Sequence, residues 1–356
     1  RPFTVNKNNY IYLADNGRIH ANLDLHDEQG TGLSFYTNRE DTIAKQDMTV
    51  ELSRINLKEF RRILPYMPDM EGWIGAEAHY IDSGPYMMVS SDLRIDEFKY
   101  EGSALGNWEL GGVYLPGEAK DHHLDAYIRH DGEEIAHLGG IYLPAEEGTG
   151  SLSADIAFEH FPLNVANPFV PDRMVELDGD IDGTLSMKGD PAKPLLNGEL
   201  ALDSVTFFMP EMSAMFRFDN EPVQVVNSKM MFKEFDIFTK GKTPFTINGE
   251  VDFSDLERTA VNLKMHAENY ELLNAPRTKR AMVYGKMYVD FNATLRGPVE
   301  ELVMRGNMNI LGKTNVTYVL KDSPLTVNDR LGDMVTFVNF NDTTSVEESS
   351  VQQISL

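Results

Sequence analysis

The sequence predicts an all-β protein: an elongated, repeat-built, mostly antiparallel twisted sheet with a few short helices. Three observations carry this. Apolar and polar residues alternate with period two along many segments, residues of turn type punctuate those segments at hairpin intervals, and a threefold internal repeat runs along the chain.

The alternation is clean over residues 19–25, 152–158, 261–267 and 287–295, so each of these strands presents one apolar face. Asn16-Gly17 and Asp131-Gly132 have the residue types of two-residue hairpin turns. Gly72, Gly179 and Gly285 mark the repeat, 107 and 106 residues apart, and each opens a strand-like segment: Gly72-Trp73-Ile74-Gly75-Ala76, Gly179-Asp180-Ile181-Asp182-Gly183 and Gly285-Lys286-Met287-Tyr288-Val289. A segment of helical spacing precedes each glycine, over 56–64, 161–167 and 269–274. A turn follows at Gly84-Pro85, Gly189-Asp190-Pro191 or Gly297-Pro298, and a second strand then covers 93–100 in the first copy and 200–207 in the second. Shorter echoes lie inside the copies: Gly111-Gly112-Val113-Tyr114 returns as Gly139-Gly140-Ile141-Tyr142, and Asn197-Gly198-Glu199 as Asn248-Gly249-Glu250. Residues 1–344 are read as the repeat-built region and 345–356 as an acidic, linker-like tail. At about ten strands per repeat and ~4.8 Å between strands, each unit advances by tens of ångströms.

Composition narrows the function. The chain has 356 residues, 42% of them hydrophobic, and a net charge of −24, which repels a phosphate backbone and argues against nucleic acid as partner. Absence of cysteine removes disulfides, thiolate catalysis and Cys-ligated zinc. The chain begins at Arg1, and no apolar run approaches the length of a membrane span, so the reading is of a piece of something longer.

A long sheet with one apolar face must hide that face, and the sequence contains no amphipathic helices long enough to cover it. Two solutions remain: closure into a sandwich or barrel with a dry core, or a half-open trough completed by a bound ligand. Stacked repeats leave the apolar face continuous from unit to unit, and 18 methionines suit either core filling or an adaptable lining.

The run from Leu177 to Pro191, Leu-Asp-Gly-Asp-Ile-Asp-Gly-Thr-Leu-Ser-Met-Lys-Gly-Asp-Pro, followed by Pro194-Leu195-Leu196-Asn197-Gly198-Glu199-Leu200, resembles the TamB-type translocation and assembly proteins, relatives of the AsmA-like group. Phe161-Pro162-Leu163 and Gly139-Gly140-Ile141-Tyr142 are similar to the same pattern, while the third copy departs from it with Gly297-Pro298-Val299. The resemblance implies the periplasmic part of a Gram-negative protein anchored in the inner membrane. It implies a taco-like sheet curled into a hydrophobic groove, a barrel partner of the Omp85 type in the outer membrane, and phospholipid as cargo. It brings no catalytic residues and no cofactor. The older view of the family adds assembly or secretion of outer-membrane proteins, which exposed sheet edges could support by strand pairing.

If the groove reading holds, the lining residues nearest the C-terminal end are Met287, Val289, Phe291 and Leu295 of one strand and Leu302, Met304, Met308 and Ile310 of the next. Other candidates rank lower. Asp178, Asp180 and Asp182 match the opening of a calcium loop, but Gly189 stands where its twelfth-position acid is required, and in a strand the three share one exposed face. Asp121-His122-His123, Asp125 and His130-Asp131 have metal-ligand residue types without a second cluster to complete a two-metal set, so no metal is assigned. A carbohydrate-active solenoid using Asp121, Asp125, Glu133 and Glu134 lacks aromatic surface, with two Trp in the chain.

Overall fold

The computed structural model describes residues 2–38, 44–84, 87–117, 121–145, 149–170, 174–210, 212–219, 221–255, 258–277, 283–320 and 352–355. The first strands are β1 (Thr4–Val5), β2 (Tyr10–Leu13), β3 (Ile19–His26), β4 (Gly32–Thr37) and β5 (Gln46–Asn56). After helix α1 (Leu57–Ile63) come β6 (Met70–Asp82), β7 (Met87–Tyr100), β8 (Ser103–Pro116), β9 (His122–His130), β10 (Glu133–Leu143) and β11 (Ser151–Pro162). A 3-10 helix (Leu163–Phe169) leads to β12 (Glu176–Gly189), β13 (Leu195–Met209), β14 (Ala214–Phe218), β15 (Val223–Val226), β16 (Lys229–Phe238) and β17 (Phe245–Asp252). The last are β18 (Ala260–Ala275), β19 (Val283–Pro298), β20 (Val303–Ile310), β21 (Asn315–Leu320) and β22 (Gln352–Ser355).

All of these strands belong to one sheet, and all pairings are antiparallel. Three rungs are built from two collinear pieces: β1 and β2 lie end to end along β3, β14 and β15 between β13 and β16, and β20 and β21 along β19. Counting each pair as one rung, every rung pairs only with its neighbours in sequence, a meander without crossovers. The predicted elongated, antiparallel all-β sheet is what the structure shows. The marker glycines lie on β6, β12 and β19, six rungs apart rather than about ten, because β6, β7 and β8 run to 13 and 14 residues. Six rungs advance about 29 Å.

Two of the three helical segments form. In α1, Asn56 Oδ1 accepts from Lys58 N–H (2.9 Å) as the N-cap and Leu57 is buried. The third, 269–274, is instead part of β18, where pairing with β19 continues through Tyr270, Glu271, Leu273 and Asn274. Local spacing lost there to a neighbouring strand with open hydrogen-bonding groups.

A line of β-bulges crosses the sheet. On β5, β7, β11, β13, β16 and β18, two residues face one on the following or preceding strand. Apart from the β9–β10 hairpin these are alternate rungs. At each bulge a non-glycine residue takes positive φ: Arg54, Glu97, His160, Ser204, Glu234 and Asn269, all between 49° and 51°. Four share one lock. The backbone N–H of Glu97, His160, Glu234 and Asn269 donates to the Oδ1 of Asn107 (2.9 Å), Asp182 (2.8 Å), Asn248 (2.9 Å) and Asp290 (2.7 Å), in each case the single residue opposite the bulge. A short acceptor at that position satisfies an amide that the ladder leaves unpaired. Asn248→Ala should therefore lower stability by about 1 kcal/mol in urea unfolding, with Asn248→Asp, which keeps the acceptor, close to wild type.

Bulges bend strands, and the bend decides where the core sits. Beyond the line, Ala214 and Phe216 of β14, Leu273 and Ala275 of β18, and Val316 of β21 pack as one dry cluster, although β14 and β18 are not paired strands. The 3-10 helix also reaches back across several rungs, where the ring of Phe169 meets that of Tyr100 on β7 at 4.6 Å.

Candidate functional site

Cross-strand partners share a face, so register converts the alternation into rows. One row begins at Leu23 and Phe35, passes Val50, Ala78, Ser91, Gly112 and Ala126, then Leu138, Ile156, Leu185 and Gly198, and ends through Val225, Met230, Val251, Val261 and Gly297. It crosses the sheet from β3 to β19 with one polar member, Ser91. The adjacent row contains Leu33, Leu52, Ala76, Leu93, Leu110, Ile128, Ala136 and Phe158. Exposure of this face is uneven among the described residues: Leu52 is 38% and Leu110 39% exposed, whereas Leu185 (7%) and Val225 (2%) are buried. On the same face beyond the bulge line, Leu273 is 1% exposed. The face is thus sealed along one margin, buried again around Leu185 and Val225, and exposed at Leu52 and Leu110.

Seven of the eight residues expected to line it lie on this face by register. Val289, Phe291 and Leu295 on β19 lie directly opposite Ile310, Met308 and Met304 on β20. Met287 is opposite Leu273, beyond a further irregularity in β18. Val289 is buried, Met287, Phe291 and Leu295 are half-buried, and Met304, Met308 and Ile310 are exposed because β20 has no further strand beside it among the described residues. Leu302 precedes β20, exposed, at the end of a single 3-10 turn. Sequence reasoning placed the candidates near the C-terminal end and missed the N-terminal half of the same face, where Leu52 and Leu110 show the same period-two signal. Tyr270 sits on this face in the sealed margin, and burial pushes its phenol up, keeping it neutral.

The opposite face carries exposed Val113, Leu115, Ile141 and Leu143, and its polar groups are tied to one another. Tyr127 donates to Glu109 Oε1 (2.8 Å), a bond that pushes its phenol up to about 12 and holds the Glu109 carboxyl below the usual range. Arg129 joins Glu109 at 3.1 Å. His137 bridges Asp125 (3.2 Å) and Glu134 (3.2 Å), while Asp121 pairs with His123 (3.0 Å). Asp131 Oδ1 accepts from the backbone and side chain of Asn107 (2.8 and 2.9 Å), and His130 reaches Leu105 O (2.9 Å). Of the aspartate series, Asp178 is exposed but Asp180 and Asp182 are half-buried, and Asp182 is engaged with the N–H and ring of His160. The single exposed face read for the three aspartates is corrected accordingly, since the bulge partner at this position must turn its oxygen back to the sheet. No group of three or more His, Asp or Glu among the described residues is placed to hold a metal ion. No helix among them is long and apolar enough to cross a membrane.

Residues 234–355, from the bulge of β16 through β22, match the family model of the TamB C-terminal domain. No curated protein and no solved structure matches the chain.

Proposed function

We propose that this chain, of which residues 234–355 match the TamB C-terminal domain, is a TamB-type protein that carries phospholipid acyl chains along the apolar face of its sheet, as the periplasmic part of an inner-membrane-anchored protein that meets an Omp85-type barrel. The family is one of envelope translocation and assembly modules, not of enzymes. The carrying observation is the apolar row from Leu23 to Gly297, continuous across the sheet and flanked by exposed Leu52 and Leu110. A row of that extent offers a hydrocarbon chain contact with neighbouring rungs at every step, so movement from one rung to the next replaces like contacts by like. The bend at the bulge line supplies one wall of a groove, and the polar margin is left for headgroups.

Native mass spectrometry of the purified chain should find bound phospholipid. In cells, a photoreactive residue at Phe291 or Met304 should label lipid, and one at Asn307, on the polar face of β20, should not. Equal labelling at all three positions, or none at any, would leave the apolar face without this role.

A second reading, a scaffold that pairs strands of outer-membrane proteins, is favoured by β20. Its outer edge has no partner among the described residues, and Val303, Met304, Met308 and Ile310 along it are exposed. Crosslinking from backbone-proximal positions of β20 to nascent barrel protein, in place of lipid, would select this reading.

A further inference from the structure

Basic charge is concentrated where the chain ends its long strands. Residues 260–313 hold eight Lys and Arg against five Asp and Glu, whereas the whole chain holds 32 against 56. On the polar face there, register sets Asn248, Lys264, Thr294 and Arg305 in one row across β17, β18, β19 and β20, and His266 and Asn292 in the next. These six line a surface depression of about 590 Å³, and none of its lining residues is acidic.

The groups left over in it are donors. Asn248 Oδ1 is taken by the N–H of Glu234 (2.9 Å) and Asn292 Oδ1 by His266 Nδ1 (2.6 Å), which leaves each carboxamide NH2 free. The other nitrogen of His266 stands 3.7 Å from Glu268. Among the described residues neither Lys264 nor Arg305 makes an ion pair, while Lys229, two strands away on the same face, is neutralised by Glu250 (3.0 Å) and Asp252 (3.1 Å). Lys264 and Arg305 flank Thr294 with Cα atoms two strand spacings, about 10 Å, apart. Side chains of that length reach one small anion from opposite sides.

We infer that this depression binds a phosphate group between Lys264 and Arg305, on the side of the sheet opposite the apolar face. Two full cations and two amide donors match the charge and the tetrahedral oxygens of phosphate better than a planar, singly charged carboxylate. A free phosphate and the headgroup of an anionic lipid present the same oxygens. The inference is independent of acyl-chain carriage, which uses the other face.

Two measurements on the purified chain separate the sources. Inorganic phosphate is titrated while backbone amide shifts of Lys264, His266 and Arg305 are followed by NMR, and flotation compares phosphatidylglycerol with phosphatidylcholine vesicles. Saturable shifts at these amides, or flotation with phosphatidylglycerol alone, supports the site, the first as a discrete phosphate site and the second as one for a headgroup. The double substitution Lys264→Gln with Arg305→Gln should weaken whichever is seen by about tenfold or more, and about 0.5 M salt should weaken it likewise. Lys193→Gln, in the β12–β13 turn, should change nothing. Absence of both signals, equal flotation with the two lipids, or equal loss in Lys193→Gln would overturn the inference. The exposed positions of Lys264 and Arg305 keep the fold of the double variant intact, which circular dichroism checks.

Discussion

Leu273→Ala should cost about 2–5 kcal/mol, and Leu110→Ala, on the same face of the same sheet, about 1 kcal/mol or less. The first leaves a cavity among Phe216, Ala275 and Val316, with the side chain 1% exposed at the start. The second removes a side chain already 39% exposed, for which water closes the gap. Aspartate sharpens the contrast: Leu273→Asp buries a carboxylate in the sealed margin and should abolish folding, whereas Leu110→Asp should yield a folded protein. Urea midpoints of the four variants decide it. Equal losses at the two positions would mean that the face is closed everywhere, the sandwich alternative that the alternation alone left standing.

The second large effect belongs to a glycine. Gly249 has φ +136°, and a Cβ there would lie 2.1 Å from the carbonyl oxygen of Asn262 on β18. The obstacle is backbone held in a ladder, so Gly249→Val must push two strands apart or flip a peptide. The expected loss is on the order of 3 kcal/mol or more, with pairing of β17 and β18 weakened in hydrogen exchange. Gly189→Val is the control, since Gly189 also has positive φ (+106°) but nothing within 4 Å of the added carbon. Its loss should stay near the conformational cost alone, about 1–2 kcal/mol. A Gly249→Val loss no greater than that of Gly189→Val would show that the strands yield easily.

How much of this was legible in the sequence depended on whether a signal was periodic or positional. Period-two alternation in 287–295 fixed the face of Val289, Phe291 and Leu295, and register carried that to Ile310, Met308 and Met304. The exposure of those residues was not legible, because it follows from where each stands relative to the bulge line and the sheet edge. The bulges themselves were nearly silent: Glu97, His160 and Glu234 are ordinary residues in left-handed conformation, chosen by an acceptor on the next strand. One trace existed. The Asn-Gly-Glu echo at 197–199 and 248–250 repeats because each asparagine accepts the N–H of a left-handed residue, Asn227 and Glu234, while each glycine lets a neighbouring carbonyl approach to 2.0 and 2.1 Å of an added Cβ. The segment 269–274 failed for the same reason. Asn269 is a bulge residue locked by Asp290, and helical spacing there is the chance product of two irregularities in β18.

The unbroken meander has a kinetic consequence. From β1 to β21 each rung needs only the one before it, so no long loop has to close there before contacts reward it, and the entropic barrier that slows Greek-key and parallel sheets does not arise. Growth proceeds by addition of one hairpin at a time to an edge already formed, in the order in which the chain becomes available. Until the next hairpin arrives that edge is a row of unsatisfied amides and carbonyls, so the nascent end is at once the template for correct addition and the point most open to capture by a foreign strand.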